Sequence, residues 1–148
     1  MRYYIFTLGT HYFACDADRV VNLKDYPVHT ERTGAARAYL LGYAFFEGRQ
    51  VLIQDLRIRF GYPARVSETT TLIVMKDEKG GFNGFIVDDS IEFVTYPQAD
   101  LSKDSRGGAT RLDSYVIGWV HGCQGCNRSF RVVDFDALAL PVLTEVLR

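Results

Sequence analysis

The chain has 148 residues, 47% of them hydrophobic, and its 17 basic and 18 acidic residues leave a formal net charge of −1. This length suits one domain spanning residues 1–148 that folds without covalent staples. The balanced charge, with no cluster of Lys or Arg, argues against binding to nucleic acid. No apolar stretch reaches the ~18 to 20 residues that cross a bilayer, and the N-terminus lacks a signal-peptide pattern, so we expect a cytoplasmic protein without direct membrane insertion.

The first elements along the chain are predicted to be hairpins. Residues 3–8 and 11–15 are β-branched and aromatic runs separated by a Gly-Thr pair, which predicts two strands and a tight turn. Residues 71–75 and 82–87 flank the turn at 79–81 and predict a second hairpin.

A short helical turn is predicted between these hairpins. Residues 51–53 form a strand signal, and Asp55 follows it as a helix cap. Leu56 and Phe60 are four residues apart and share one face, and Gly61 ends the turn.

The C-terminal part is predicted to continue the β-structure. Residues 91–96 extend the preceding meander, and the polar residues 98–110 form a surface loop. Residues 115–120 and 130–133 predict a third hairpin. The many short strands and brief helices together predict an all-β barrel architecture.

A helix is predicted to follow the third hairpin. Asp134 is its N-cap, and its apolar residues at helical spacing are Phe135, Leu138, Val142 and Val146. Pro141 falls inside this pattern, so either the helix stops before Pro141 or Pro141 opens a second one.

The segment between the strands of the third hairpin carries Cys123 and Cys126, whose spacing suits two ligands of a zinc ion, with His121 as a third. Cys15 and His11 would have to complete such a site from the first hairpin. A redox-active thiol pair is a second interpretation, but it needs a cationic setting or a helix N-terminus. A glycine-rich loop without chemistry is the interpretation that we favour, with reduced thiols and no metal site.

No catalytic site is indicated by the sequence. The phosphate-binding loop pattern is absent, and the three histidines have no recognisable nucleophile partner. The acidic pairs, such as Asp88 with Asp89, are interpreted as solvated turn positions. We therefore expect neither an enzyme nor a bound cofactor.

Residues 40–60, LLGYAFFEGRQVLIQDLRIRF, resemble the central block of the CheW family of chemotaxis coupling proteins, with Gly42, Gly48 and Asp55-Leu56-Arg57 as anchors. Further segments continue the resemblance over nearly the whole chain: 71–75, 84–88, 115–118 and 134–138. The resemblance implies an all-β fold of two interlocked SH3-like five-stranded β-barrel subdomains, with short helices and a C-terminal helix. It also implies a non-catalytic adaptor in two-component signalling.

The resemblance further implies two partners for this chain. One is the regulatory domain of a CheA-like histidine kinase, whose binding surface would include Val20, Asn22 and Gly42. The other is the cytoplasmic tip of a methyl-accepting chemoreceptor. Its binding surface would include Phe46, Glu47, Arg49, Val87 and Phe93.

Two of these positions depart from the family pattern. Asn22 stands where an acidic residue is common, and Glu47 stands where Arg is common, which changes the receptor charges that the surface tolerates. On a continuous strand Arg49 shares a face with Glu47 and would partly replace the positive charge. The alternative function is a divergent CheW-like domain that senses a metal or small ligand through the Cys123 and Cys126 loop.

Overall fold

The computed structural model describes residues 1–26, 38–95, 115–120 and 129–139, together with the backbone of residues 101–102. This part of the chain forms β-strands, two short α-helices and one 3-10 turn at Ala17–Arg19. The strands are β1 (Arg2–Leu8), β2 (His11–Asp16), β3 (Val20–Asp25), β4 (Leu40–Phe46), β5 (Arg49–Asp55), β6 (Thr71–Lys76), β7 (Phe82–Val87), β8 (Asp89–Thr95), β9 (Leu101–Ser102), β10 (Val116–Val120) and β11 (Phe130–Val133). The helices are α1 (Leu56–Phe60) and α2 (Phe135–Leu138).

The strands are arranged in two sheets. A six-stranded sheet has the order β8-β1-β2-β11-β10-β9, and a five-stranded sheet has the order β3-β6-β7-β5-β4. The pairs β2–β11 and β5–β7 are parallel, and the other pairs are antiparallel. The predicted all-β fold with two sheet subdomains and short helices is confirmed. Within the described residues each sheet runs between two edge strands instead of closing as a hydrogen-bonded barrel.

All three predicted hairpins form. Each joins neighbouring strands in antiparallel register, β1 to β2, β6 to β7 and β10 to β11. The turns of the first two contain glycines with positive φ, Gly9 at 60° and Gly80 at 84°. Because only glycine adopts such angles without steric cost, these residues fix the turn positions that the sequence indicates.

The prediction that residues 91–96 extend the meander is wrong. Strand β8 pairs with β1 in the six-stranded sheet, whereas β7 lies in the five-stranded sheet. The chain changes sheets at Asp88, whose N–H donates to the carbonyl of Thr7 at 3.1 Å and whose carboxylate accepts from the N–H of Gly9 at 2.6 Å. These bonds turn the chain away from its preceding partner, so β8 begins on the edge of β1.

The predicted loop at 98–110 contains a short strand. Its residues 101–102 form β9, which pairs with β10. A segment of two residues is too short to show a period, so no strand was predicted here. The rest of this predicted loop lies outside the described residues.

The predicted helix after the third hairpin begins where expected. The Asp134 carboxylate accepts from the N–H groups of Asp136 at 3.0 Å and Ala137 at 3.3 Å, which caps α2. The described helix ends with Leu138, before Pro141. The further part of the prediction, including Val142 and Val146, lies outside the described residues.

Three apolar clusters form the core. The central one lies between the sheets and takes residues from both of them and from both helices, including Phe6, Phe85 and Phe135. A second cluster, around Ile5, belongs to the six-stranded sheet, and a third, around Ile53, belongs to the five-stranded sheet. The central cluster joins the two sheets because apolar residues from both are removed from water together.

Candidate binding surfaces

The motif Asp55-Leu56-Arg57 forms a buried junction. The Asp55 carboxylate caps α1 by accepting from the N–H of Arg57 at 3.0 Å. The Arg57 side chain is only 2% exposed and donates to both Asp55 oxygens at 2.9 Å, a bidentate pair. Its Nη1 also donates to the Asp88 carboxylate at 3.2 Å and to the carbonyl of Arg65 at 2.6 Å. The guanidinium therefore has a structural role, because all of these contacts are made within the chain.

Burial and ion pairing act in opposite directions on Arg57. Burial by itself lowers the pKa of this guanidinium, but the hydrogen bonds and charges of Asp55 and Asp88 outweigh it, so the pKa is raised. Asp88, interpreted from sequence as a solvated turn position, is instead part of this ion pair. The Arg57 side chain therefore keeps its positive charge.

The proposed kinase positions lie on the two edge strands of the five-stranded sheet. Val20 and Asn22 are half-buried on β3, where a register shift between them marks a bulge. The Asn22 Oδ1 accepts from the N–H of Leu23 at 2.7 Å. Between them Val21 is 41% exposed, a surface position that the sequence analysis missed.

Gly42 lies on the other edge strand, β4, and is buried. Its φ of 145° lies in the region that favours glycine, and a register shift separates it from Leu40. The backbone geometry by itself accounts for glycine at this position.

The hairpin between β4 and β5 carries three of the proposed receptor positions. Glu47 and Gly48 form its two-residue turn with φ of 50° and 75°, and Glu47 is exposed. Phe46 is half-buried against Phe82, with their ring centroids 6.0 Å apart. The tip therefore presents an acidic side chain beside a packed aromatic pair.

Arg49 does not stand beside Glu47 as expected from a continuous strand. The chain reverses at the turn, and the Arg49 guanidinium lies over the ring of Phe82, 5.1 Å from its centroid. Its Nη1 donates to the carbonyl of Gly80 at 3.4 Å. Arg49 is thus directed towards the β6–β7 turn, and the expectation of a shared strand face is wrong.

Val87 and Phe93 differ in their access to a partner. Val87 is completely buried in the central cluster, so a partner's side chain cannot touch it in this structure. Phe93, on the edge strand β8, is 45% exposed. Its ring centroid is 4.9 Å from that of Tyr4, and the Arg2 guanidinium lies 5.4 Å from it.

Phe45 is the most exposed large apolar side chain among the described residues, at 66%, and was not singled out from sequence. Its ring stands edge-on to Tyr43, with centroids 5.7 Å apart. The alternation of β4 places both rings on the face opposite Ala44 and Phe46. A period-2 reading of LLGYAFF could have indicated this apolar second face.

The residues considered for metal binding lie in different environments. Cys15 is buried in the central cluster, and burial raises the pKa of its thiol well above the usual value. The His11 Nδ1 is hydrogen-bonded to the Tyr62 hydroxyl at 2.8 Å. Across the part of the chain that the structure describes, no three potential ligands come together. Cys123, Cys126 and His121 lie outside that part.

In the described ranges, neither helix is long and apolar enough to cross a membrane.

A family model described as "CheW-like domain" matches residues 2–140. Among solved structures, the chain is similar to the scaffolding protein TtCheW from Thermoanaerobacter tengcongensis, with a TM-score of 0.79 and 17% sequence identity. The alignment covers 93% of this chain and 86% of that one. No curated protein matches the sequence significantly.

Proposed function

The chain belongs to the family of CheW-like domains, which are non-catalytic scaffolds, and on that premise we propose that it couples a CheA-type histidine kinase to chemoreceptors. The family membership bears out the expectation that the chain is not an enzyme. The observation that carries the proposal is the family match over residues 2–140. The whole chain, residues 1–148, would act as one adaptor domain in the cytoplasm, without a cofactor.

The geometry supports a role through surfaces rather than through a reactive site. The charges of the Asp55–Arg57–Asp88 junction are paired with one another. The junction therefore has a structural role. Exposed apolar side chains stand instead on edge strands, Val21 on β3 and Phe93 on β8. Exposed apolar groups at sheet edges are suited to contact with another protein.

The kinase regulatory domain is proposed to bind along β3, with Val20 and Asn22 at the contact. Val21 is added to this surface because it is the exposed apolar residue between them. Gly42 would act indirectly, by allowing the backbone of β4 to take its shape, since it is buried.

The receptor tip is proposed to contact Phe46, Glu47, Arg49 and Phe93. Phe93 offers an exposed ring with the Arg2 guanidinium over it, and Glu47 offers an exposed charge. Val87 would contribute from beneath, by supporting the core under this surface.

Binding of the full chain to its two partners tests the proposal. The probes are the regulatory domain of the CheA-type kinase and a cytoplasmic fragment of a chemoreceptor from the same organism, measured by isothermal titration calorimetry. We expect each probe to bind alone and both to bind together. Val21→Ser should weaken kinase binding by about 1 kcal/mol or more if the side chain is part of the interface core.

A matched control is Val66→Ser, because Val66 is exposed at 62% outside both proposed surfaces. Its substitution should leave both affinities unchanged. Failure of the unmodified chain to bind either probe would overturn the adaptor proposal.

A further inference from the structure

Arg131 of β11 is framed by aromatic rings on the six-stranded sheet. In the strand register it lies opposite Trp119 of β10 and Phe13 of β2, and residues directly opposite one another share a face of the sheet. The Arg131 Cζ is 4.7 Å from the centroid of the Trp119 ring and 5.9 Å from that of Phe13. Burial raises the pKa of the Tyr62 phenol, and the positive charge of Arg131 opposes this rise, so Tyr62 also lies near the guanidinium.

Arg131 lacks an acceptor within the part of the chain that the structure describes. The other arginines that are buried or half-buried there each have a guanidinium nitrogen 3.0 Å or less from an oxygen atom, namely Arg19, Arg57 and Arg59. Arg131 makes no hydrogen bond or ion pair in those ranges, and its Nε is the one buried side-chain nitrogen or oxygen there without a hydrogen-bond partner. The two Nη groups are not shielded in this way, so a ligand can reach them.

This arrangement leaves a positive charge partly removed from water and not neutralised by a described residue. An unpaired buried donor on a charged group is costly, because it has lost water and gained no acceptor. Native structures pair nearly all such groups, so an exception indicates that another group binds there. The charge is delocalised over the guanidinium, and an anion on the Nη groups therefore offsets part of the cost at Nε. Charge and geometry together indicate an anionic ligand.

We propose that Arg131 binds the carboxylate of an Asp or Glu side chain of a partner protein, while an apolar residue beside that carboxylate packs on the Trp119 ring. The planar fork of Arg matches a carboxylate, which accepts two of its N–H groups. An ion pair near the surface is weak by itself, so binding needs a second contact, and the half-buried Trp119 ring offers one. A free anion cannot make both contacts, whereas an acidic segment of a protein can.

None of these residues is assigned above to the kinase or the receptor. The inference therefore goes beyond the adaptor proposal and does not depend on it.

Tryptophan fluorescence tests this inference on the full chain, because Trp119 is its only tryptophan. The probe is acetyl-Leu-Glu-Leu-amide, with matched peptides in which Glu is replaced by Gln or Lys and with sodium acetate as the free carboxylate. We expect a saturable change in Trp119 fluorescence with the glutamate peptide and affinity about threefold weaker or more for the glutamine peptide. The lysine peptide and acetate should bind more weakly than the glutamate peptide.

Two substitutions of Arg131 separate its charge from its shape. Arg131→Gln should remove the preference for the glutamate peptide over the glutamine peptide. Arg131→Lys keeps the charge but loses the planar fork, so it should retain a smaller preference, and it provides the test if Arg131→Gln does not fold. Thermal unfolding of each variant checks the fold.

Lys24→Gln is the matched control. The Lys24 Nζ also stands over an aromatic ring, 5.3 Å from the centroid of Phe46, but on the five-stranded sheet. Removal of this charge should leave the affinities for both peptides unchanged.

Equal affinity for the glutamate and glutamine peptides, or no saturation at millimolar peptide, would overturn the inference. An undiminished preference for the glutamate peptide in the Arg131 variants would also overturn it, because the carboxylate would then bind elsewhere. Acetate that binds as tightly as the glutamate peptide would identify a site for free carboxylates instead. None of these measurements uses the kinase or the receptor, so their outcome is separate from that of the adaptor proposal.

Discussion

Arg57 and Asp88 form an ion pair, with Nη1 3.2 Å from Oδ1, that links helix α1 to the point where the chain leaves the five-stranded sheet. Asp88 accepts at the same time from the N–H of Gly9, in the first turn of the six-stranded sheet. One carboxylate thus contacts helix α1, which directly follows β5 of the five-stranded sheet, and the first turn of the six-stranded sheet. The relative placement of the sheets depends on a polar contact as well as on the central core.

The buried pair of Asp55 and Arg57 should be the most sensitive polar contact in the fold. Asp55→Asn keeps an oxygen for the helix cap but removes the charge opposite a buried guanidinium. We expect a loss of about 3 kcal/mol in the free energy of unfolding, because breaking a buried pair leaves the guanidinium with only the more exposed carboxylate of Asp88 as its counterion. Urea denaturation would measure it.

Asp77→Asn serves as the comparison, since it removes a carboxylate charge from a turn of the five-stranded sheet. It should cost less than 1 kcal/mol, as is usual for surface positions. Similar losses in the two variants would contradict a special role for the buried pair.

Glu47 should limit the stability of the β4–β5 hairpin. A non-glycine residue at φ of 50° is unfavourable, and Asn tolerates this region better than Glu. Glu47→Asn should therefore raise the free energy of unfolding by about 0.5 to 1 kcal/mol. Glu68→Asn, in an exposed segment without positive φ, should change it little, and an equal gain in both variants would argue against backbone strain.

The charge of Glu47 should affect receptor binding if the adaptor proposal holds. Glu47→Arg reverses an exposed charge on the proposed receptor surface. The affinity for the receptor fragment should therefore change, and the direction in which salt changes this affinity should also differ. Calorimetry at two ionic strengths would measure both effects. Glu68→Arg controls for net charge, and an unchanged affinity in Glu47→Arg would remove Glu47 from the contact.

Gly84 should not tolerate a side chain. A Cβ built there would lie 2.9 Å from both Ile53 Cδ1 and Leu72 Cδ1, inside the core of the five-stranded sheet. Gly84→Ala should cost about 1 to 3 kcal/mol through overpacking. Gly48→Ala provides a contrast with positive φ but open space around it, and thermal unfolding of the two variants would separate clash from strain.

The free energy of unfolding should fall at alkaline pH because the phenol of Tyr4 ionises. Burial raises the pKa of its phenol from 10.0 to about 12. The unfolded state therefore ionises first as pH rises, so the contribution of Tyr4 is complete below pH 10 and is lost as pH rises to about 12. Urea midpoints of the unmodified chain and Tyr4→Phe would test this, and parallel pH profiles would contradict it.

Local sequence signals were sufficient for the hairpins and the capped turns. The first two hairpins each combine two apolar runs with a glycine-containing turn, and Asp55 and Asp134 cap helices that begin immediately after them. Such elements depend on neighbouring residues only, which is why their positions agree with the prediction.

Partner strands and side-chain orientation were not predictable in the same way. The pairing of β8 depends on hydrogen bonds that Asp88 makes with residues far away in the sequence. Arg57 lies in the stretch LRIRF, where nothing in the pattern distinguishes its buried guanidinium from the more exposed one of Arg59. In LLGYAFF both faces are apolar, so a period-2 pattern indicates two apolar faces but does not say which of them, and hence whether Phe45, lies at the surface.

The parallel pairing of β2 with β11 has a consequence during translation. Phe13 and Ala14 lie opposite Arg131 and Val132. Strand β2 is synthesised early and can pair with β11 only after β11 has left the ribosome. Until then β2 of the nascent first hairpin exposes a row of backbone N–H and C=O groups without strand partners. Such an open edge promotes aggregation or chaperone binding. Completion of the six-stranded sheet therefore waits until β11 has been synthesised.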